Sequence, residues 1–410
     1  MEGPGMVILG GGKAGARAIV GLRGYGWEGP ITLINDENLL PYDRPPLSKA
    51  ALTEEAEPVP TSLLDLDMMT SLKVTHLRHT AAIKINRGSQ TIILSNGKNL
   101  LYHRLLIAAG ATARKLPLED AERALTLRDF GDARKIRQAL ATQKSVAIIG
   151  GGFIGLELAA AANKRGCKVT VIESQPRILM RGVTDEIAGQ IAARHASASV
   201  LILTEVTVAR IDPQTVTLTD GRVVDAEILI AGIGAAPRTQ FAQNAGLLLD
   251  NGIACDSKMQ TSDPFIWAAG DCCSFIHPIF DNMRMRLESW RNASDQAVIA
   301  VENMMGASRE FTSVPWFWSD QYDLTLQIAG VPSLGLSTVR RNLRDGAFII
   351  CHSNAEGRLV GASGIGRGNI IARDVRLLEL LIGKQARPSA TQLSDPDFQL
   401  KSLIKTDVAA

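Results

Sequence analysis

Val7-Ile8-Leu9-Gly10-Gly11-Gly12-Lys13-Ala14-Gly15 and Ala147-Ile148-Ile149-Gly150-Gly151-Gly152-Phe153-Ile154-Gly155 are two copies of one pattern, about 140 residues apart. Each is an apolar strand running into G-x-G-x-x-G and then an Ala-rich helix. The first glycine makes the tight turn, and the second lets the backbone approach a pyrophosphate. The third lets helix and strand pack closely, so that the helix N-terminus points its free N–H groups at the phosphate. A single copy carries little weight, because any tight strand-to-helix turn favours glycine. Two copies, each followed by an acid at the right distance, predict two dinucleotide sites and electron traffic between them.

Outward from the first copy, a helix is expected near Lys13–Arg23 and a second strand at Ile31–Ile34, ending in Asn35-Asp36-Glu37. A carboxylate at that spacing accepts hydrogen bonds from a ribose, and Asp36 is the candidate. The plainer reading is a turn rich in Asn and Asp. The second copy repeats the plan, with a helix from about Ile154 to Arg165, a strand at Lys168–Ile172 and then Glu173. A carboxylate there suits the free 2′-hydroxyl of NAD and repels the 2′-phosphate of NADP. Arg177 and Arg181 lie close behind and oppose that preference. Thr91–Gly97 reads as a strand entering a turn, and Leu105–Gly110 as a buried strand meeting a glycine turn. Ile228–Gly234 closes the second unit in the same manner. After Phe311 the composition changes. The cluster Pro315-Trp316-Phe317-Trp318 leads to strand-like segments near Leu324–Ala329 and Ala347–Cys351 and a helix over Ile371–Ile382.

The fold class is therefore α/β, with two Rossmann-type dinucleotide-binding domains and a C-terminal α+β domain. The length of 410 residues suits two or three domains. The 46% hydrophobic and 21% charged composition is that of a globular protein with large cores. A net charge of +2 gives no support to a nucleic-acid or membrane-surface role, which needs a clustered basic face. The five cysteines, Cys167, Cys255, Cys272, Cys273 and Cys351, are odd in number and form no C-x-x-C, so buried thiols in a reduced cytoplasmic chain are expected. No metal site is expected. The N-terminus reaches its first strand at Met6 without the marks of a targeting segment. The most apolar run, Val146–Ala162, holds several glycines and Glu157, and reads as strand, loop and helix rather than a membrane span.

Further stretches carry a family resemblance. They are Leu40-Pro41-Tyr42-Asp43-Arg44-Pro45-Pro46-Leu47-Ser48-Lys49, Thr261-Ser262-Asp263-Pro264-Phe265-Ile266-Trp267-Ala268-Ala269-Gly270-Asp271, Glu288-Ser289-Trp290-Arg291-Asn292-Ala293 and Trp316-Phe317-Trp318-Ser319-Asp320-Gln321-Tyr322. Together with the glycine loops they resemble the FAD-dependent NADH:ferredoxin reductases of bacterial oxygenase systems, in order and in register from about residue 6 to about 330. The resemblance implies a glutathione-reductase-like fold. A discontinuous FAD-binding domain (1–113 and 240–312) would be interrupted by an NAD-binding domain (114–239) and followed by the C-terminal domain (313–410). It implies that Gly10, Gly12, Ala14 and Gly15 cradle the FAD pyrophosphate and that Asp36 holds the adenosine ribose. Ala82 would meet adenine through its backbone, Arg128 would reach the cofactor, Asp271 would bind the ribityl or phosphate region, and Trp290 would lie beside the flavin ring with Lys49 near it. For NAD it implies Gly152, Ile154, Glu157, Glu173, Arg181, Ile233 and Gly234. Two departures stand out. Ala108-Ala109-Gly110 replaces the usual Ala-Thr-Gly. Lys13 stands where the family often has His or Leu, and it either adds charge near the pyrophosphate or, as favoured here, faces solvent.

The implied function is electron transfer. Hydride passes from NADH to FAD, and single electrons pass on to an acidic, transiently bound 2Fe–2S ferredoxin that feeds an aromatic-ring oxygenase or P450. Lys49 and Glu157 are the charged groups the resemblance places nearest the reacting flavin atom. Paired, they keep each other ionised in a dry site. The plainer reading of Glu157 is an acid near a helix N-terminus, complementing the dipole. The segment Leu39–Lys49 lacks the cysteine that disulfide reductases, NADH peroxidases and coenzyme A disulfide reductases on this fold place against the flavin, which argues against thiol chemistry. Rubredoxin and monodehydroascorbate reductases share most of these motifs. An apoptosis-inducing-factor-like signalling flavoprotein would favour a targeting segment and a basic surface. Between Ser337 and Arg376 stand seven arginines, Arg340, Arg341, Arg344, Arg358, Arg367, Arg373 and Arg376, against three acids. They are either a solvated face or a basic rim that steers the acidic partner, with Trp316 and Trp318 as its apolar centre.

Overall fold

The computed structural model describes residues 4–142 and 144–405. The chain divides into two compact units. One combines Met1–Arg44, Pro60–Thr112 and Ala236–Ser313; the other combines Pro45–Val59, Ala113–Ala235 and Val314–Ala410.

The first unit is built on a sheet whose parallel part runs in the order Val74–Leu77, Ile31–Ile34, Gly5–Leu9, Asn99–Ile107 and Ile266–Ala268. These strands read as short, continuous apolar runs because both faces are covered. The N-terminal half of Asn99–Ile107 turns away to pair antiparallel with Thr91–Leu94, which pairs in turn with Ala82–Asn86. Helix Lys13–Gly24 follows the first glycine loop and packs on helix Trp290–Met304. Gly21 permits the approach, since a Cβ there would meet Val301 at 3.4 Å. The core joins Ile8, Leu33 and Leu106 to Ile266, Ala297 and Val301, residues nearly 300 positions apart.

The second unit holds a parallel sheet in the order Leu201–Leu203, Lys168–Ile172, Ser145–Ile149 and Ile228–Ala231. Helix Phe153–Lys164 starts one residue earlier than the sequence suggests and is buried along almost its whole length, so its neighbours meet it through the small side chains Ala159–Ala162. Five antiparallel strands follow in the order Trp316–Gln321, Leu324–Gly330, Leu359–Arg367, Phe348–Ser353 and Ser337–Asn342, with helix Ala372–Gly383 laying Val375, Leu378, Leu381 and Ile382 into the core. The two sheets, assigned to separate domains on sequence grounds, share one compact unit. One apolar cluster runs through both, joining Leu156, Ile187 and Ile191 to Leu324, Leu326, Ile350 and Ile365. No helix among the described residues is long and apolar enough to cross a membrane.

Arg341, one of the seven arginines of the expected rim, is 2% exposed. Its Nε pairs with Asp374 at 2.7 Å, and its guanidinium donates to the carbonyls of Leu393, Asp395, Pro396 and Phe398. It is a buried clasp on the C-terminal segment, not a surface charge. Arg340, next in sequence, points the other way and meets Glu186 where both are about half exposed. Removing one partner of a buried pair strands the other, whereas an exposed pair contributes little. Arg341→Ala is therefore expected to destabilise the unit by roughly 3 kcal/mol and Arg340→Ala by less than about 1 kcal/mol, as measured by chemical denaturation.

Candidate functional site

The two glycine loops have the same geometry. Gly10 has φ +117°, and a Cβ on it would lie 2.2 Å from the carbonyl oxygen of Ala108. Gly150 has φ +107°, and its Cβ would lie 2.5 Å from that of Gly232. Gly15 and Gly155 pack so tightly that a Cβ would meet the carbonyl oxygens of Gly10 and Gly150 at 2.0 Å. The middle glycines differ: around Gly12 and Gly152 a Cβ would meet nothing within 4 Å. Each of these two residues caps its helix with no side-chain hydrogen bond to the first turn. Uncapped N–H groups facing open space are what a pyrophosphate requires, so both loops fit a dinucleotide.

In the first unit Asp36 follows its strand and pairs with Arg238 at 2.5 Å, both side chains being partly exposed. Ala82 opens its strand two residues after Thr80, whose N–H donates to Asn35, so the chain passes close to Asp36. Gly270, at φ +80°, sits against Ala14 and Ala293, which sets Asp271 beside the glycine-loop helix. Trp290 begins helix Trp290–Met304, capped by Ser289, and its indole N–H donates to Asp43 at 2.6 Å. Lys13 does not simply face solvent. Its ammonium lies 3.6 Å from the centre of the Trp290 ring. Partial burial pulls its pKa below the usual lysine value, Asp43 pulls it back up, and Arg17 lowers it again. A cation at a helix N-terminus opposes the dipole, and the ring and Asp43 offset that cost.

In the second unit the Glu173 carboxylate accepts from the N–H of Gly151 at 2.7 Å and of Gln175 at 2.8 Å, which orients it at the glycine loop. Arg177 turns away, pairing with Asp185 at 2.5 Å and donating to the carbonyls of Ile178 and Val183. Arg181 and Ile154 are exposed. Ile233 and Gly234 lie just beyond strand Ile228–Ala231, and the carbonyl of Gly234, at φ +97°, accepts from the Arg114 N–H. Arg128 precedes helix Phe130–Leu140, and its N–H donates to Asp132 within the capping region.

Lys49 and Glu157, 108 residues apart in sequence, form an ion pair of 2.7 Å. Glu157 is 4% exposed. Two hydroxyls complete its shell: Ser48 donates to the same oxygen as Lys49 at 2.5 Å, and Ser319 donates to the other at 2.6 Å. The sequence reading passed over both serines, although Ser48 adjoins Lys49 and Ser319 lies in the tryptophan-rich stretch. The Asp43–Trp290 and Asp36–Arg238 pairs were also missed, because nothing in a sequence marks partners more than 200 residues apart. All five cysteines are buried and free, and burial pushes Cys272 and Cys351 up to about 12, so these two thiols stay protonated at neutral pH. Among the described residues no cluster of His, Cys, Asp and Glu could hold a metal ion.

Residues 4–297 match the family model described as pyridine nucleotide-disulphide oxidoreductase. The chain belongs to this family. Residues 316–404 of this oxidoreductase match a second model, described as reductase C-terminal. Over 405 residues it is 35% identical to the ferredoxin–NAD(+) reductase component of the anthranilate 1,2-dioxygenase system of Burkholderia cepacia, covering 97% of this chain and 98% of that one. It is also 35% identical to rhodocoxin reductase of Rhodococcus erythropolis, over 97% of this chain and 94% of that one. It superimposes on the covalent putidaredoxin reductase–putidaredoxin complex with a TM-score of 0.92 and 32% identity, covering 100% of both chains.

The glycines separate structure from binding. Gly12→Ala and Gly152→Ala should fold, each losing about 1 kcal/mol as weaker helix caps, while Gly12→Ala weakens retention of FAD and Gly152→Ala weakens binding of NADH. Gly10→Ala should lower stability by roughly 2 kcal/mol or more through its positive φ and the carbonyl it strikes. Thermal melts and bound-flavin absorbance together distinguish the two classes.

Proposed function

We propose that this oxidoreductase is a ferredoxin–NAD(+) reductase that takes hydride from NADH onto FAD and passes electrons singly to a 2Fe–2S ferredoxin serving an aromatic-ring oxygenase or P450. The observation that carries it is the pair of open glycine cradles, each with its own carboxylate, in a chain whose Leu39–Lys49 segment offers no thiol. Full-length likeness to reductase components of oxygenase systems supports the same reading. FAD, when bound, supplies the conversion of a two-electron donor into a one-electron donor.

The chain's residues bind and orient. Gly10, Gly12, Ala14 and Gly15 hold the FAD pyrophosphate, Asp36 the ribose, Ala82 the adenine and Asp271 the ribityl or phosphate region, with Arg128 reaching the cofactor. These contacts place FAD on 1–113 and 240–312, NAD on 114–239 and the partner's interface on 313–410. Trp290 lies against the flavin ring and carries the Lys13 cation on its face. Gly152, Ile154, Glu157, Arg181, Ile233 and Gly234 receive NADH, and Glu173 accepts from its ribose hydroxyl. With Arg177 committed to Asp185, the 2′-phosphate of NADPH would meet that carboxylate without a compensating cation from Arg177. Lys49, held by Glu157, keeps a positive charge where negative charge builds up on reduction. Five free cysteines fit a cytoplasmic location.

The partner is a transiently bound ferredoxin of acidic surface. Its landing site is smaller than the arginine count suggests. Arg341 is buried, and Arg340, Arg358, Arg367 and Arg376 pair with Glu186, Glu356, Asp323 and Glu379. Trp316 and Trp318 stack on each other at 5.3 Å, half-buried, on one face of their strand.

The purified protein should be yellow and be reduced faster by NADH than by NADPH, and Glu173→Ala should narrow that difference. A preference for NADPH at equal concentrations would sink the nicotinamide assignment. Replacing all five cysteines with Ser or Ala should leave NADH-to-ferredoxin transfer within about twofold in folded, FAD-loaded protein. Reversing Arg340 and Arg344 to Glu should raise the apparent KM for ferredoxin and flatten its salt dependence, while ferricyanide reduction holds steady. A ferredoxin reaction indifferent to salt in the parent protein would rule out electrostatic docking.

A further inference from the structure

The donors around Glu157 extend into the protein. Behind Ser319, the amide nitrogen of Gln321 lies 3.3 Å from the Ser319 hydroxyl, and the amide oxygen of Gln321 lies 2.9 Å from Nε2 of His195. Ser319 and Gln321 are alternate residues of strand Trp316–Gln321, so both point to its buried face. His195 belongs to helix Asp185–Ser197 and is fully buried, with Tyr322 edge-on against its ring.

The protons along this chain follow from its carboxylate end. An ionised carboxylate only accepts, so the Ser319 hydroxyl donates to Glu157 and its lone pair accepts from the Gln321 amide. That turns the Gln321 oxygen toward His195, whose Nε2 must then carry the proton. Nδ1 of His195 is buried with no partner, so a second proton there would be stranded. Burial lowers the His195 pKa below its usual value; the Gln321 contact raises it in part, and Arg194 lowers it again. His195 is thus neutral, and every hydrogen in the chain points toward Glu157.

We propose that Ser319, aligned by Gln321 and His195, is a positioning residue that shares with Ser48 the fixing of the Glu157 carboxylate, and through it the Lys49 ammonium. The inference rests on the reading of Lys49 and Glu157 as groups that act in flavin reduction. With three donors, both carboxylate oxygens are held. With two, the carboxylate can rotate and carry Lys49 away, and small displacements at a reacting centre cost large factors in rate.

The test uses full-length, FAD-loaded protein: the parent, Ser319→Ala, Ser319→Thr, Ser48→Ala and Glu157→Gln. Stopped-flow reduction by NADH should show Ser319→Ala and Ser48→Ala lowering the limiting rate about tenfold, with half-saturation changed less than about twofold. Ser319→Thr restores the hydroxyl and should restore the rate, and Glu157→Gln should be at least as slow as the alanines. Independently of turnover, nitrogen-15 NMR of histidine-labelled protein should show His195 neutral at pH 7 as the Nε2–H tautomer. Normal rates in both alanine variants with a slow Glu157→Gln would overturn the positioning role and leave the proposed function standing. So would a Ser319→Thr as slow as Ser319→Ala, or an Nδ1–H or protonated His195. A parent protein that NADH does not reduce would remove the proposed function and this inference together.

Discussion

In both parallel sheets a strand end comes so close to the start of the next helix that no side-chain carbon fits between them. Gly10 with Gly15 and Gly150 with Gly155 meet this constraint in the same way, and each presses on the strand beside it through the carbonyl of Ala108 or Gly232. The close approach leaves the first helical turn uncapped at Gly12 and Gly152. A helix end in that condition needs an external acceptor, because its N–H groups otherwise depend on water alone. Phosphate binding is thus a by-product of how strand and helix are joined, and duplicating the joint duplicates the site.

Much of this was legible in the sequence because it is local. Glycine spacing, continuous apolar strands and carboxylates at Asp36 and Glu173 lie within about 25 residues of their partners in the pattern, and the elements they predict stand within a residue or two of their places. The resemblance carried legibility further, to Lys49, Asp271 and Trp290, whose surroundings no periodicity reveals. What stayed hidden depends on long-range geometry. Lys13 at a helix start reads as a solvent-facing cation until Trp290, 277 positions later, is brought under it. Arg341 reads as one of seven surface charges until the end of the chain folds over it. A count of arginines cannot separate a buried clasp from an exposed one.

The strand Trp316–Gln321 shows how a period of two lets one element serve opposed chemistries. Phe317, Ser319 and Gln321 face inward, two of them completing a hydrogen-bond chain to a buried carboxylate, while Trp316 and Trp318 stack on the other face. A slip of one residue would exchange the faces, setting indoles against Glu157 and hydroxyls against water. The buried network therefore fixes the register of the strand, and the register fixes where the tryptophans lie.

The first unit gathers segments from both ends of the described chain, since helix Trp290–Met304 must cover helix Lys13–Gly24 and Ile266–Ala268 must extend the sheet begun at Gly5. During synthesis its opening strands leave the ribosome some 280 residues ahead of the helix that shields them. At roughly 10 residues per second that is about half a minute of exposure for an apolar sheet face. The four-stranded sheet between Ser145 and Ala231 closes within a far shorter stretch. Nascent chains of this protein thus carry a finished inner sheet and an unfinished outer one, a state in which slower translation lengthens the wait and chaperones that bind exposed apolar strands have their longest opportunity.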